Sequence, residues 1–116
     1  IVDDSMTMRQ MVNFTLASAG HTVTEAGNAD EAMLNAQQQR FDLIISDVNM
    51  PGRSGIELVA ELRKLADYKF VPIILLTTEA QPEMKSKGRA AGATGWIVKP
   101  FDPEALLGVL RKVLPA

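Results

Sequence analysis

The chain has 116 residues, of which 47% are hydrophobic and 22% charged, and its net charge at pH 7 is −2. This is the length and composition of one globular domain, which excludes the disordered and fibrous classes of protein. A slightly acidic chain lacks the basic surface that direct nucleic-acid binding requires, and the absence of cysteine excludes disulfides and thiolate metal sites.

The first part of the chain predicts two strands and two helices in alternation. Residues 1–2 predict the end of a strand, whose first few residues we expect upstream, and two aspartates follow at 3–4. Residues 5–20 carry apolar side chains at helical spacing and end on a glycine, which predicts an amphipathic helix. Residues 21–26 alternate as a strand does, and 28–40 open with a capping asparagine and predict a second helix.

The rest of the chain continues this alternation around a short buried strand. Residues 43–45 form an unbroken apolar run that leads to Asp47, and Pro51 and Gly52 then prevent the strand from continuing. The pattern further predicts a helix at 54–66, a strand at 72–77, a helix at 82–91, a strand at 95–99 and a helix at 102–114.

Five strands that alternate with five helices through short loops are typical of a doubly wound α/β fold. For a (βα)5 chain of this size, right-handed crossovers favour the flavodoxin-like parallel sheet with strand order 2-1-3-4-5. We therefore predict a single domain over residues 1–116, in which the first and third strands are neighbours.

Acidic residues end two neighbouring strands in this order. Asp3, Asp4 and Asp47 are expected in one crevice, with Thr77 and Lys99 at the matching ends of the fourth and fifth strands. Three carboxylates this close repel one another, and a hard divalent cation would offset the repulsion. An all-oxygen ligand set with open positions fits Mg²⁺, and the combination with a lysine and a hydroxyl suits phosphoryl transfer onto Asp47.

Each of these residues also has an ordinary structural interpretation. Asp47 could simply open a turn, and Asp3 and Asp4 could be charges at a helix N-terminus. Thr77 could end a strand, and Lys99 could be a solvated surface lysine. Their joint occurrence at one edge of the sheet favours the functional interpretation.

Motifs spread over nearly the whole chain resemble those of one known family. They are Ile1-Val2-Asp3-Asp4-Ser5 with Met8-Arg9, Asp47-Val48-Asn49-Met50-Pro51-Gly52, Leu75-Leu76-Thr77-Thr78-Glu79, and Ala91-Gly92-Ala93 through Trp96-Ile97-Val98-Lys99-Pro100-Phe101. In this order and spacing the chain is similar to response-regulator receiver domains, and among them to the single-domain chemotaxis regulators.

The resemblance implies a phosphorylation site built around a metal ion. Asp47 would be the phosphoacceptor, and a phosphohistidine on a sensor histidine kinase would be the donor. Asp4, Asp47 and the carbonyl of Asn49 would bind Mg²⁺ directly, with Asp3 helping through water. The chain would then be a phosphorylated switch rather than an enzyme with a separate substrate.

The resemblance also implies how the switch acts. Thr77 and Lys99 would contact the phosphoryl group, and Lys99–Pro100 would be a cis peptide. Thr77 would couple to the ring of Trp96, and so to the surface of the fourth helix, fifth strand and fifth helix. Three flanking residues would modulate the site: Asn49, Thr78 and Glu79.

We therefore expect a cytoplasmic, monomeric regulator of the flagellar motor, with a sensor kinase, the motor switch protein and a phosphatase as partners. No membrane insertion is expected, because the longest apolar run, residues 70–76, is far shorter than the roughly 20 residues that span a bilayer. Three alternatives remain: a receiver domain excised from a larger DNA-binding or enzymatic regulator, a flavodoxin-like cofactor binder, and a Mg²⁺-dependent phosphohydrolase. The cofactor binder is disfavoured because acids occupy the loop where a flavin phosphate needs N–H donors.

Overall fold

A parallel sheet with helices on both faces forms the protein in this computed structural model, which describes residues 1–78 and 82–114. The helices are α1 (Met6–Ser18), α2 (Ala29–Gln38), α3 (Gly55–Arg63), α4 (Pro82–Ala91) and α5 (Pro103–Val113), with a 3-10 turn at Ala66–Tyr68. The strands are β1 (Ile44–Asp47), β2 (Ile73–Thr77) and β3 (Gly95–Val98). None of the helices within the described ranges is long and apolar enough to span a bilayer.

The order of the sheet follows from its pairing. β1 pairs in parallel with β2, and β2 in parallel with β3. Val2 forms isolated parallel bridges to Ala26 on one side and to Ser46 of β1 on the other. The order across the sheet is therefore the Ala26 segment, the Val2 segment, β1, β2 and β3. This confirms the predicted flavodoxin-like α/β fold with order 2-1-3-4-5.

The second predicted strand, at residues 21–26, is much shorter than the sequence pattern indicates, and the first, at residues 1–2, is a single bridging residue. The Val2 N–H donates to Ile45 O at 2.8 Å and the Ala26 N–H donates to Ile1 O at 2.9 Å, but each segment contributes a single bridging residue. A strand needs a partner along its whole length, and only residues 1–3 lie beside residues 24–26. Residues 21–23 therefore form no strand, although their side chains have high β-propensity.

Two apolar cores lie on opposite faces of the sheet, because successive residues of a strand point in opposite directions. Ile44 and Leu75 pack on one face with residues of α2 and α3. Ile45 and Leu76 pack on the other face with residues of α1 and α5. Both faces of β1 and β2 are thus covered, which leaves the carboxyl ends of the strands as the open edge.

The start of α3 is pressed against the end of β1. Ser54 and Glu57 form a capping box, in which each side chain accepts the other residue's N–H. A Cβ on the next residue, Gly55, would overlap the carbonyl oxygen of Asp47 and stand 3.0 Å from Val48 Cα. Only glycine fits there, so α3 holds the backbone that carries Asp47.

Candidate phosphoacceptor and metal site

Polar side chains gather where the parallel strands end. Asp47 is the last residue of β1, Thr77 is the last residue of β2, and Lys99 directly follows β3. Asp3 follows the bridging residue Val2 in the neighbouring segment. Asp3, Asp47 and Thr77 are all buried. The residues predicted to share one edge of the sheet do so.

Three carboxylates form a compact acidic cluster at this edge. One oxygen from each of Asp3, Asp4 and Asp47 lies within 4.8 Å of the others. Asp3 is fully buried and Asp47 is 5% exposed, whereas Asp4 is exposed. The cluster therefore has two acids set into the protein and one at its mouth, which leaves it accessible from solvent.

The amine of Lys99 lies between the two buried acids. Its Nζ is 3.2 Å from Asp3 Oδ2 and 3.1 Å from Asp47 Oδ1. The other oxygen of Asp3 accepts the backbone N–H of Ser5 at 2.9 Å. Both oxygens of Asp3 are therefore engaged, and the buried pair of acids shares a single ammonium group.

Burial and neighbouring charges set the protonation of this group of residues. Burial raises the pKa of Asp47, the hydrogen bond from Lys99 opposes that effect, and the charge of Asp3 raises the pKa further. Burial by itself would lower the pKa of Lys99, but its hydrogen bonds to Asp47 and Asp3 outweigh burial and the net direction is upward. The shift of Lys99 therefore favours its protonated, positively charged form, whereas the surroundings of Asp47 disfavour its ionised form.

The donor set of the crevice fits a hard divalent cation. The ligands that these acids offer are oxygens, which Mg²⁺ prefers, and three carboxylates face one lysine. The exposed carboxylate of Asp4 leaves room for water or phosphate oxygens as further ligands. Asn49 is exposed next to the cluster, and its backbone N–H donates to the Asp47 carboxylate. The residues present therefore fit the ion predicted for this site.

The remaining predicted residues lie around this crevice. Thr78 is exposed directly after β2, and Trp96 is half-buried on β3. The Lys99–Pro100 peptide bond is cis, as the resemblance implies. Glu79 lies outside the described residues.

Two arginines that support the site were missed as site residues. Arg9 of α1 donates from Nη1 to Asp3 O at 2.6 Å and from Nε to Glu25 Oε1 at 3.2 Å. Arg53, in the loop after β1, pairs with Asp30 of α2. Arg9 stands in a family-like motif only six residues after Asp3, but its contact with Glu25 and the contact of Arg53 with Asp30 span 16 and 23 positions and follow no local pattern. Both tie the loops of the crevice to the flanking helices.

A doubly wound sheet with paired acids, a lysine and a threonine at its open edge is the architecture of α/β signalling proteins of the receiver class. The model of the response regulator receiver domain matches residues 1–111. The chain belongs to the response regulator receiver family, whose members are signalling switches rather than enzymes of metabolism, with histidine kinases as phosphodonors.

Individual relatives indicate different roles within this family. The crystal structure of the Vibrio cholerae chemotaxis protein CheY4 is 56% identical, has a TM-score of 0.95, and is matched over 97% of this chain and 94% of that one. A chemotaxis protein CheY homologue of Campylobacter jejuni is 40% identical over 98% of this chain and 89% of its own length. The phosphate regulon transcriptional regulatory protein PhoB of Pseudomonas aeruginosa is 38% identical over 98% of this chain, which spans only 50% of PhoB.

Proposed function

We propose that this chain is a CheY-like response regulator that accepts a phosphoryl group on Asp47 and controls flagellar motor bias. The observation that carries the proposal is the acidic cluster at Asp47 with the Lys99 ammonium 3.1 Å from its carboxylate. The likeness to CheY4 over nearly the full length of both chains supports the chemotaxis role.

The transfer itself is a displacement at phosphorus. A carboxylate oxygen of Asp47 forms a bond to the phosphorus of a phosphohistidine while the bond from phosphorus to the imidazole nitrogen breaks, and the imidazole leaves with the electron pair. The loop held by Gly55 fixes the direction of the attacking carboxylate. Lys99 supplies positive charge next to the transferred group, and the Thr77 hydroxyl donates a hydrogen bond to it.

Magnesium would be held by Asp4, Asp47 and the Asn49 carbonyl, with Asp3 assisting through water. When bound, the ion neutralises charge on the phosphoryl oxygens. Asp3 has a second task, because its carboxylate contacts the Lys99 amine together with that of Asp47 and so helps to position it.

Phosphorylation would be read on the surface formed by α4, β3 and α5. Thr77 moves toward the new phosphoryl group, the Trp96 ring turns inward, and the phosphoryl group biases two states that already exist. Thr78 limits the space for the ring, and Asn49 and Glu79 tune the loss of the phosphoryl group to water.

The proposed partners follow from this role. A CheA-like sensor kinase is the donor, the flagellar motor switch protein is the target, and a phosphatase ends the signal. We propose a monomer in the cytoplasm, where the kinase and the motor switch can both be reached.

A receiver domain from a longer DNA-binding or enzymatic regulator is the second candidate. The match to only half of PhoB favours it, since receivers of this sequence type also occur joined to other domains. Binding of the phosphorylated chain to the motor switch protein separates the two candidates. A Mg²⁺-dependent phosphohydrolase is a distant third, and it requires turnover of added substrates without a lasting aspartyl phosphate.

Mass spectrometry tests the phosphoacceptor. Incubation with Mg²⁺ and acetyl phosphate should add one phosphoryl group to the wild-type chain and none to Asp47→Asn. The matched control is Asp42→Asn, because Asp42 is exposed and precedes β1 rather than ending it. Labelling of Asp47→Asn at the wild-type level would refute the assignment.

A further inference from the structure

Gly88 is the buried residue of α4, and it faces two side chains of the sheet. A Cβ at this position would stand 3.0 Å from Leu75 Cδ1 and 3.0 Å from Trp96 Cζ3. Trp96 Cε3 would be 3.4 Å away. The indole ring of Trp96 therefore lies directly against the α4 backbone at the place where any other residue would carry a side chain.

The backbone gives no reason for a glycine here. Glycine in the interior of a helix is less favourable than alanine, and the positive-φ glycines among the described residues are Gly20, Gly52 and Gly92. Gly88 is inside α4 with ordinary helical geometry. What distinguishes the position is the space beneath it, which the Trp96 ring fills.

Packing holds the Trp96 ring in this position. The ring packs against the core that contains Leu75, and α4 contributes Met84 and Ala91 to the same core. Trp96 Nε1 is buried and has no hydrogen-bond partner among residues 1–78 and 82–114. Burying an indole N–H without an acceptor is unfavourable, so turning outward would restore its hydrogen bond to water. Packing therefore favours the inward ring, whereas the unpaired indole N–H opposes it.

We propose that Gly88 is a positioning residue that makes room for the Trp96 indole against α4 and thereby keeps the ring available to the phosphorylation switch. The link to phosphorylation rests on the proposed function, in which the modified state favours the inward ring. The position of the ring itself rests on the packing alone.

Tryptophan emission tests the position of the ring, since Trp96 is the only tryptophan. Gly88→Ala should shift the emission to longer wavelength and increase quenching by acrylamide, because the added methyl displaces the indole toward solvent. The matched control is Gly108→Ala in α5, where an added Cβ meets nothing within 4 Å and the gain in helix propensity is the same. Unchanged emission of Gly88→Ala would overturn the proposal.

A double-mutant cycle tests whether the destabilisation by Gly88→Ala arises from contact with the Trp96 ring. If the methyl clashes with Trp96, replacing Trp96 by Phe should remove most of the destabilisation by Gly88→Ala, as measured by urea unfolding. The same loss in both backgrounds would assign the clash to Leu75 and overturn the proposal.

Beryllofluoride with Mg²⁺, a phosphoryl mimic, tests the link to the switch by calorimetry. Gly88→Ala should weaken its binding at least about fivefold, the low end of allosteric couplings, and Gly108→Ala should leave it unchanged. Wild-type affinity in Gly88→Ala would overturn the link. Failure of the wild-type protein itself to bind would instead refute the proposed function, while the emission comparison would still decide the position of the ring.

Discussion

The charge of one lysine decides how two buried carboxylates are tolerated. Asp3 and Asp47 come from separate segments, and Lys99 contacts both at 3.2 and 3.1 Å. Without the ammonium the two acids, whose side chains are both buried, would repel each other. Lys99 therefore has a structural task in the crevice as well as the proposed contact with the phosphoryl group.

Lys99→Met should destabilise the fold by roughly 3 kcal/mol at pH 7, which is the low end for breaking a buried ion pair because the crevice is open on one side. Methionine keeps the unbranched, flexible stem of the side chain but leaves Asp3 and Asp47 without their cation. Urea unfolding in EDTA measures the change. The control is Lys64→Met, since Lys64 is 73% exposed and its pair with Glu61 is a surface contact. Equal stability changes in the two variants would contradict this account.

Asp47→Asn should stabilise the metal-free protein at pH 7. The folded-state pKa of Asp47 is raised, first by burial and then by Asp3, with Lys99 opposing. An acid with a raised folded pKa contributes stability that is present below its unfolded pKa and lost as pH rises through the folded value. Removing the charge avoids that loss, so the gain should be present at pH 7 and shrink toward pH 3. A gain that grows as pH falls would reverse the assigned direction of the pKa shift.

At the scale of helices and strands, local signals predicted where the helices begin, but the helix predicted at 54–66 ends at Arg63 and a 3-10 turn follows it. Asn28 and Ser54 cap α2 and α3 as expected, and α4 spans Pro82–Ala91 as the pattern indicates. Tertiary packing decided the rest. Met11 is one of the apolar residues at helical spacing in α1 yet is 51% exposed, and Tyr68, which lies between the predicted helix 54–66 and strand 72–77, is 1% exposed.

Tyr68 illustrates why such a residue escapes prediction. Its hydroxyl lies 3.0 Å from Ala36 O and 2.8 Å from Gln39 O, and it accepts the Phe41 N–H at 3.3 Å. These partners are about thirty positions away in sequence and lie at the end of α2, beyond any local periodicity. A 3-10 turn after α3 directs the ring inward.

Tyr68→Phe should cost about 1–2 kcal/mol of stability, because carbonyl groups at the end of α2 lose a buried donor while the ring still fills the core. Burial raises the pKa of the Tyr68 hydroxyl. The stability it contributes is therefore present below its ordinary pKa and lost at higher pH, so the two proteins should converge in strongly alkaline solution. Urea unfolding at neutral and alkaline pH tests both statements. A constant difference across this range would contradict the role of the hydroxyl.

Gly55→Ala should destabilise the protein by about 2–3 kcal/mol, typical of overpacking, because the new methyl overlaps the Asp47 carbonyl. The displaced loop should also slow phosphorylation of Asp47 by acetyl phosphate. Gly108→Ala is the control and should gain up to about 1 kcal/mol from helix propensity without a change in rate. Normal phosphorylation of Gly55→Ala would show that α3 does not position Asp47.

At the scale of the whole molecule, the order of the sheet creates the site. Asp3 and Asp47 are 44 positions apart, yet Val2 bridges to Ser46, so the residues that follow them lie side by side. The sequence was sufficient to predict this juxtaposition because alternating strands and helices leave few topologies. It could not predict that Arg9 and Arg53 would hold the surrounding loops, since those contacts depend on how the helices pack.

Magnesium should stabilise the folded state as a whole, because only folding brings Asp3, Asp4 and Asp47 within 4.8 Å of one another. A ligand that binds only the folded chain adds about 2.7 kcal/mol at one hundred times its dissociation constant. Urea unfolding in Mg²⁺ and in EDTA at equal ionic strength measures the gain. Asp4→Asn should lose most of it, since the exposed Asp4 carboxylate completes the cluster, and Asp42→Asn should keep it. If Mg²⁺ stabilised Asp4→Asn as much as the wild-type protein, the ion would not bind at the acidic cluster. A general effect of divalent cations would give that result, because it does not depend on one carboxylate.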